Sequence, residues 1–95
     1  MMQFDPPHPG GFIRRTYLEP FGISAREVAE YLHVSPSTFS RVVSGKSRIT
    51  PDMAIRLSKV LGRSPQSWLQ MQMNYDLWQS EQTNSYEDLK ELELV

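Results

Sequence analysis

The side chains best suited to binding chemistry in this sequence are the short polar groups of one segment, Ser35–Ser44. Phe39, Val42 and Val43 recur there at helical spacing and predict a helix with one apolar stripe. The opposite face would carry Pro36, Ser37, Ser40, Arg41 and Ser44. Serine can bond to most base edges in a DNA major groove, and arginine can grip guanine with two hydrogen bonds, so this face is suited to reading DNA.

The alternative is that the same face is merely the solvated side of a small helical bundle. Solvated helix faces usually favour Glu and Lys, and this face has neither, so we favour groove reading. Directly after the predicted helix, Gly45 should end it, and Lys46 and Arg48 follow. Together with free backbone N–H groups, these two cations could grip phosphate oxygens. The alternative here is a simple helix stop followed by two solvated cations.

A preceding helix is predicted to position this segment. Ser24 and Glu27 form a capping box, and Val28, Ala29 and Leu32 give the buried face that follows it. A three-residue break at His33–Ser35 then leads into the next helix, with Ser35 as its N-cap. A helix, a short break and a second helix are typical of a helix-turn-helix unit.

Three more helices complete the predicted all-α fold. The first covers Gly10–Leu18 and should end at Pro20 and Gly22, after an extended N-terminal arm, Met1–Pro9. The fourth and fifth start at two cap-and-proline pairs, Thr50-Pro51 and Ser64-Pro65. The fifth should fray near Glu81–Ser85. No strand pattern appears in the sequence.

The charges divide the chain into two unlike parts. Residues 1–63 carry a net charge of +4 and residues 64–95 carry −5, although the whole chain is at −1. This asymmetry suggests a basic binding body and an acidic segment with another task, although an ordinary solvated surface is the alternative. We expect a protein that is soluble and cytoplasmic, because no signal peptide or membrane-spanning run is present.

Catalysis and metal binding have little support in the sequence. There is no cysteine, and His8 and His33 are too few and too far apart to form a metal site. Neither a nucleophile elbow nor a glycine-rich phosphate loop occurs. We therefore expect no enzyme activity, no metal and no cofactor.

Aromatic and sulfur-containing side chains form a stripe on the fifth predicted helix. Trp68 is expected to lie in the core. Met71, Tyr75 and Trp78 are more than one small core needs, so we predict a dimer interface there, with core packing as the alternative.

Several motifs together resemble the HigA-type antitoxins, within the phage-repressor-like (Xre) family of helix-turn-helix proteins. The similarity covers about four fifths of the chain, and its C-terminal motif SPxxWLxxQxxYDLW is specific to this branch. The matching stretches are HPG at His8–Gly10, LEPFGIS at Leu18–Ser24, the block Val34–Ile49, TPDMAIRLSKVLG at Thr50–Gly62 and SPQSWLQMQMNYDLW at Ser64–Trp78.

The resemblance implies a five-helix phage-repressor-like helix-turn-helix domain over residues 1–80, including a dimerisation helix, and a short acidic C-terminal extension over residues 81–95. It implies a homodimer that binds its own operator DNA and neutralises a toxin that cleaves messenger RNA. Carried over by position, the base-reading residues are Ser37, Ser40 and Arg41. The phosphate-contacting residues are Ser35, Ser44, Gly45, Lys46 and Arg48.

The chain departs from this family at two positions. Ala25 stands where many relatives have a Gln that helps to fix the DNA backbone, and Pro36 stands at an often polar, base-reading position. Both losses leave Arg41 as the main reader. Two other functions stay open. One is a stand-alone transcriptional regulator, and the other is a protein-interaction module that has lost DNA binding, which the missing Gln at position 25 and the near-neutral charge favour.

Overall fold

The computed structural model describes residues 7–94, and its regular elements there are all helices, which confirms the predicted all-α, five-helix fold. Helix α1 consists of three contiguous pieces, Pro9–Ile13, a π-helical turn at Arg14–Leu18 and a last turn at Glu19–Phe21. The other helices are α2 (Ala25–Leu32), α3 (Pro36–Val43), α4 (Pro51–Val60) and α5 (Pro65–Thr83).

Side-chain caps start the helices where the sequence predicts them. The hydroxyls of Ser24, Ser35, Thr50 and Ser64 each accept a hydrogen bond from the backbone N–H three residues later, at 3.0–3.2 Å. Proline then occupies the first turn of α3, α4 and α5, where a missing N–H leaves no bond unmade. The cap of α1 is His8, whose Nδ1 accepts from the Gly10 N–H at 2.9 Å.

The end of α1 differs from the prediction. The helix does not stop before Pro20 but continues to Phe21, and Gly22 ends it in the left-handed conformation at φ 62°. The π-helical turn is the reason: the Glu19 N–H donates to the Arg14 oxygen, five residues back. Pro20 then stands at the start of a new α turn, where no donor is needed.

The core lies where the five helices meet. Trp68 is fully buried, and its indole N–H donates to the Gly62 oxygen at 2.9 Å. The buried apolar side chains are Ile13, Leu18, Val28, Ala29, Leu32, Phe39, Val42, Ile49, Met53, Ala54, Leu57 and Trp68. Because this set draws on every helix, each of them is fixed against the others.

The two ends of the chain add little to the core. The predicted N-terminal arm lies largely outside the described residues, as does Val95. Residues 84–94, the acidic tail, are exposed and contain no helix. None of the helices within residues 7–94 is both long enough and apolar enough to cross a membrane.

Candidate nucleic-acid interface

The structure places the predicted base-reading residues together on one open surface of α3. Phe39 and Val42 anchor the helix in the core, and Ser37, Ser40 and Arg41 are exposed on the other side. Pro36 and Ser44 extend the same surface at its two ends. We call these five residues the reading face. It carries short polar groups with one long donor, as a helix entering a major groove requires.

The turn between α2 and α3 is fixed by a contact that sequence reasoning missed. His33 ends α2 in the left-handed conformation at φ 58°. The Arg56 guanidinium, held by Asp52 at 2.9 Å, donates from Nη1 to the Leu32 oxygen at 2.8 Å. Arg56 therefore joins α4 to the end of α2 and helps set the angle at which α3 leaves the turn.

Ser35 has most of its hydrogen-bonding capacity engaged within the chain. Its hydroxyl accepts from the Thr38 N–H at 3.1 Å and donates to the Thr38 Oγ1 at 2.7 Å. At the other end of the helix, the Ser44 hydroxyl donates to the Arg41 oxygen at 3.3 Å. Both hydroxyls are exposed, so a phosphate would have to compete with these local bonds.

One hydrogen bond within the chain restrains the exposed Arg41 side chain. Its Nε donates to the Ser47 hydroxyl at 3.3 Å. The terminal Nη groups carry the remaining donors of the exposed side chain, and a guanidinium uses such a pair to bond guanine at O6 and N7. Ser47 thus helps to orient Arg41, the predicted main reader, a contact that the sequence did not reveal.

The loop after α3 corrects one predicted mechanism. Gly45 adopts φ 82°, as expected of a helix stop. Its backbone N–H donates to the Val42 oxygen, and the N–H groups of Lys46 and Ser47 both donate to the Arg41 oxygen, at 2.8 and 3.0 Å. These amides are therefore not free for phosphate. The side chains of Lys46 and Arg48, both exposed, are the groups of this loop that could reach DNA.

Helix α5 anchors this loop through Gln72, a third contact that the sequence did not reveal. The Gln72 amide oxygen accepts from the Ile49 N–H at 2.7 Å, and its amide nitrogen donates to the Asp76 carboxylate at 3.0 Å. The other oxygen of Asp76 pairs with Arg48. Gln72 and Asp76 are the Gln and Asp of the motif SPxxWLxxQxxYDLW, which was the only signal for them in the sequence. In the structure they hold the loop after α3.

The HPG motif packs the start of α1 against the end of α3. Pro9 and Gly10 are buried there, and the His8 ring lies edge-on to Tyr75, with 4.8 Å between centroids. Burial lowers the pKa of His8 below 6.5, and the nearby Asp76 carboxylate acts in the opposite direction. A neutral ring suits this position because Nδ1 must accept the Gly10 N–H.

The predicted dimer-interface residues have partners inside the chain. Met71 packs against the core, and Tyr75 lies between His8 and Trp78. The Trp78 indole N–H is buried without a hydrogen-bond partner among the described residues. The apolar side chains of α5 that are more exposed than these three are Met73 and Leu77, at 52% and 53%.

Metal binding finds no geometric support in the described part of the chain. His8 lies against Tyr75 and His33 in the turn before α3. Within residues 7–94, no three His, Asp or Glu side chains come together as a metal site would need.

A family comparison covers the elements that carry the reading face. The family model described as helix-turn-helix matches residues 15–68, from α1 to the first turn of α5. The match includes the whole of α2, α3 and the loop that follows them.

Individual relatives extend the similarity beyond that region. Virulence-associated protein I of Dichelobacter nodosus is 48% identical over 75 residues, which are 79% of this chain and 69% of that protein. A structure of PA4674 from Pseudomonas aeruginosa in complex with its operator DNA has a TM-score of 0.87 at 32% identity, covering 95% of this chain and all of that one. The Pseudomonas aeruginosa antitoxin HigA with the higBA promoter has a TM-score of 0.85 at 33% identity, covering 92% and 98%.

Proposed function

This chain belongs to the helix-turn-helix family and is similar to its antitoxins and operator-binding regulators, and from that premise we propose that it is an autorepressing antitoxin. In this proposal a homodimer binds operator DNA upstream of its own operon. The same protein neutralises a toxin that cleaves messenger RNA.

The reading face is the observation that carries the DNA-binding part of the proposal. Ser37, Ser40 and Arg41 would contact base edges, because they are exposed together on a helix whose other side is fixed by Phe39. Two similar proteins have been solved with operator or promoter DNA. Phosphate contacts are assigned to Ser35, Ser44, Lys46 and Arg48, with the last two supplying the charge. Gly45 leaves the predicted set, because its backbone N–H donates to the Val42 oxygen and it has no side chain to offer.

The apolar residues of α5 support the proposed homodimer. They are distributed around the whole circumference of the helix instead of along one face. Trp68 and Gln72 face the core, whereas Met73 and Leu77 lie on the opposite side and are half exposed. A helix with apolar side chains on opposite sides can be covered on both, here by the core and by a second subunit. We place Met73 and Leu77 at the centre of the interface and keep Trp78 at its edge. They replace the predicted Met71 and Tyr75, which have packing partners within the chain.

Two subunits would also supply the discrimination that one reading face lacks. A single face with three readers makes few base contacts, and each good bidentate pair contributes about 1–3 kcal/mol. Two faces set about one helical turn apart, roughly 34 Å, would double these contacts on a palindromic site.

The acidic end of the chain is the surface that we assign to the toxin. Residues 64–95 carry −5, and the acidic tail exposes Leu89, Leu92 and Leu94 between its carboxylates. An RNA-cleaving enzyme must bind a polyanion, so a basic surface on it would meet this segment with complementary charge. A frayed, solubilising tail is the competing interpretation.

One binding experiment tests the central proposal. The full chain is titrated against a duplex from upstream of its own reading frame and against a random duplex of equal length, at 150 mM salt. We expect preference for the upstream duplex by at least about 10³-fold, in the range of specific regulators. Equal affinity for both would overturn the repressor assignment. Rescue of growth when the chain is co-expressed with the product of the adjacent reading frame tests the antitoxin assignment separately.

A further inference from the structure

The guanidinium of Arg48, one of the two cations proposed to contact DNA phosphate, is already bonded within the chain. It pairs with the Asp76 carboxylate of α5, although the two side chains remain 67% and 39% exposed. The pair joins residues 28 positions apart in the sequence. A carboxylate and a phosphate oxygen offer a guanidinium the same kind of charge-assisted bond, so the two can exchange at this site.

The Asp76 carboxylate accepts a hydrogen bond from Gln72, one turn earlier on α5. That side chain is only 2% exposed, and its amide donates to Oδ1 of Asp76 at 3.0 Å while accepting the Ile49 N–H. The free oxygen, Oδ2, is the one that pairs with Arg48. This hydrogen bond from a buried side chain restrains the Asp76 carboxylate beside the loop that carries Arg48 and Lys46.

We propose that Asp76 is an internal competitor of DNA phosphate for Arg48 and thereby lowers the affinity of this protein for duplex DNA of any sequence. The proposal rests on the DNA-binding function proposed above. In free protein Arg48 is held by Asp76, and a phosphate must displace that carboxylate before the contact forms. Base contacts from Arg41 and its neighbours are unaffected, so the competition weakens the part of binding that carries no sequence information.

The first test is Asp76→Asn, in which the side-chain oxygen can still accept from Gln72 while the charge is lost. Exposed ion pairs contribute up to about 1 kcal/mol, so affinity for a random duplex should rise about two- to fivefold. Glu81→Gln is the matched control, because it removes one negative charge from an exposed residue of the same helix. We expect it to raise the affinity by much less.

A double-mutant cycle separates competition for Arg48 from general repulsion of DNA. In an Arg48→Gln background, Asp76→Asn should raise the affinity no more than Glu81→Gln does. The proposal would be overturned if the larger gain persisted in that background, or if Asp76→Asn alone gained no more than Glu81→Gln. A loss of affinity in Asp76→Asn would also overturn it, since Asp76 would then present Arg48 to DNA instead of competing for it.

A measurement on the unmodified chain keeps the proposal testable if a variant fails to fold. The Arg48 Nε–H cross-peak is followed by NMR during titration with a random duplex. We expect it to shift as the guanidinium leaves Asp76 for phosphate, and an unchanged cross-peak at saturation would overturn the proposal. These measurements use random DNA, so their failure is distinct from a failure to prefer the upstream duplex.

Discussion

The α-carbon of Gly10 lies so close to the Val42 carbonyl oxygen that a Cβ at residue 10 would be 2.1 Å from it. A Cβ there would also be 2.5 Å from the Val43 oxygen. The start of α1 therefore touches the backbone of the C-terminal turn of α3. Backbone oxygens of a packed helix cannot turn aside as a flexible side chain can.

We predict that Gly10→Ala destabilises the protein, because this overpacking must push α1 and α3 apart. The free energy of unfolding should fall by about 1–3 kcal/mol or more, measured by urea denaturation. Gly11→Ala is the control, since its nearest neighbour would be Nη1 of the Arg15 side chain at 2.9 Å, which can move. That variant should be neutral or up to about 1 kcal/mol more stable. Equal losses in both variants would contradict this account.

Local signals explain why much of the fold could be predicted from the sequence. Each cap involves a hydroxyl and an N–H three residues away, so Ser24, Ser35 and Thr50 could be identified without knowledge of the fold. The apolar stripe of α3 likewise determines which of its residues are exposed. The end of α1 was misjudged because proline normally breaks a helix, whereas a π-helical turn accommodates Pro20 here.

The contacts that support the reading face could not be predicted in the same way. Gln72 and Ile49 are 23 residues apart, and only the packing of α5 brings them together. Gly10 has no local reason to be glycine, because its constraint comes from a helix some thirty residues later in the chain. The family resemblance singled out the motifs that contain these residues, HPG for Gly10 and SPxxWLxxQxxYDLW for Gln72. The structural role of each residue follows only from the three-dimensional packing.

His8 should make the stability of the protein depend on pH. Burial lowers its pKa below 6.5 in the folded chain, so the unfolded chain binds a proton first as the pH falls. Stability from His8 is therefore present above about pH 6.5 and is lost as the pH falls from there through the folded pKa. Urea unfolding between about pH 5 and 7 should show this slope.

Two asparagine variants isolate the contribution of His8 to this pH dependence. His8→Asn retains an N-cap oxygen but does not titrate, so the slope in this pH range should become shallower. His33→Asn is the control, because His33 is exposed and its left-handed conformation is one that asparagine tolerates. It should keep the slope of the parent chain. An identical slope in the His8 variant would show that other groups cause the acid sensitivity.

Dimerisation through the outer side of α5 should depend on Leu77. We expect Leu77→Asp to shift the protein to monomer at micromolar concentrations in sedimentation experiments, because a charge would then lie in an apolar interface. Leu89→Asp introduces the same charge at a leucine of the acidic tail that is also exposed, and it should remain dimeric. Parallel loss of the dimer in both variants would contradict the interface, and a monomeric parent chain, free and on DNA, would contradict dimerisation itself.

Sequence discrimination should depend on Arg41, the one long donor of the reading face. We expect Arg41→Ala to cost about 1–3 kcal/mol of operator binding and to relax preference at one base pair, because a guanine loses its bidentate partner. Lys46→Ala is the comparison: it should weaken operator and random duplexes alike and reduce the slope of log affinity against log salt by about 0.9, since one phosphate contact is lost. Titrations of both variants against both duplexes at several salt concentrations distinguish these effects. An unchanged ratio of operator to random affinity in Arg41→Ala would remove Arg41 from the base-reading set.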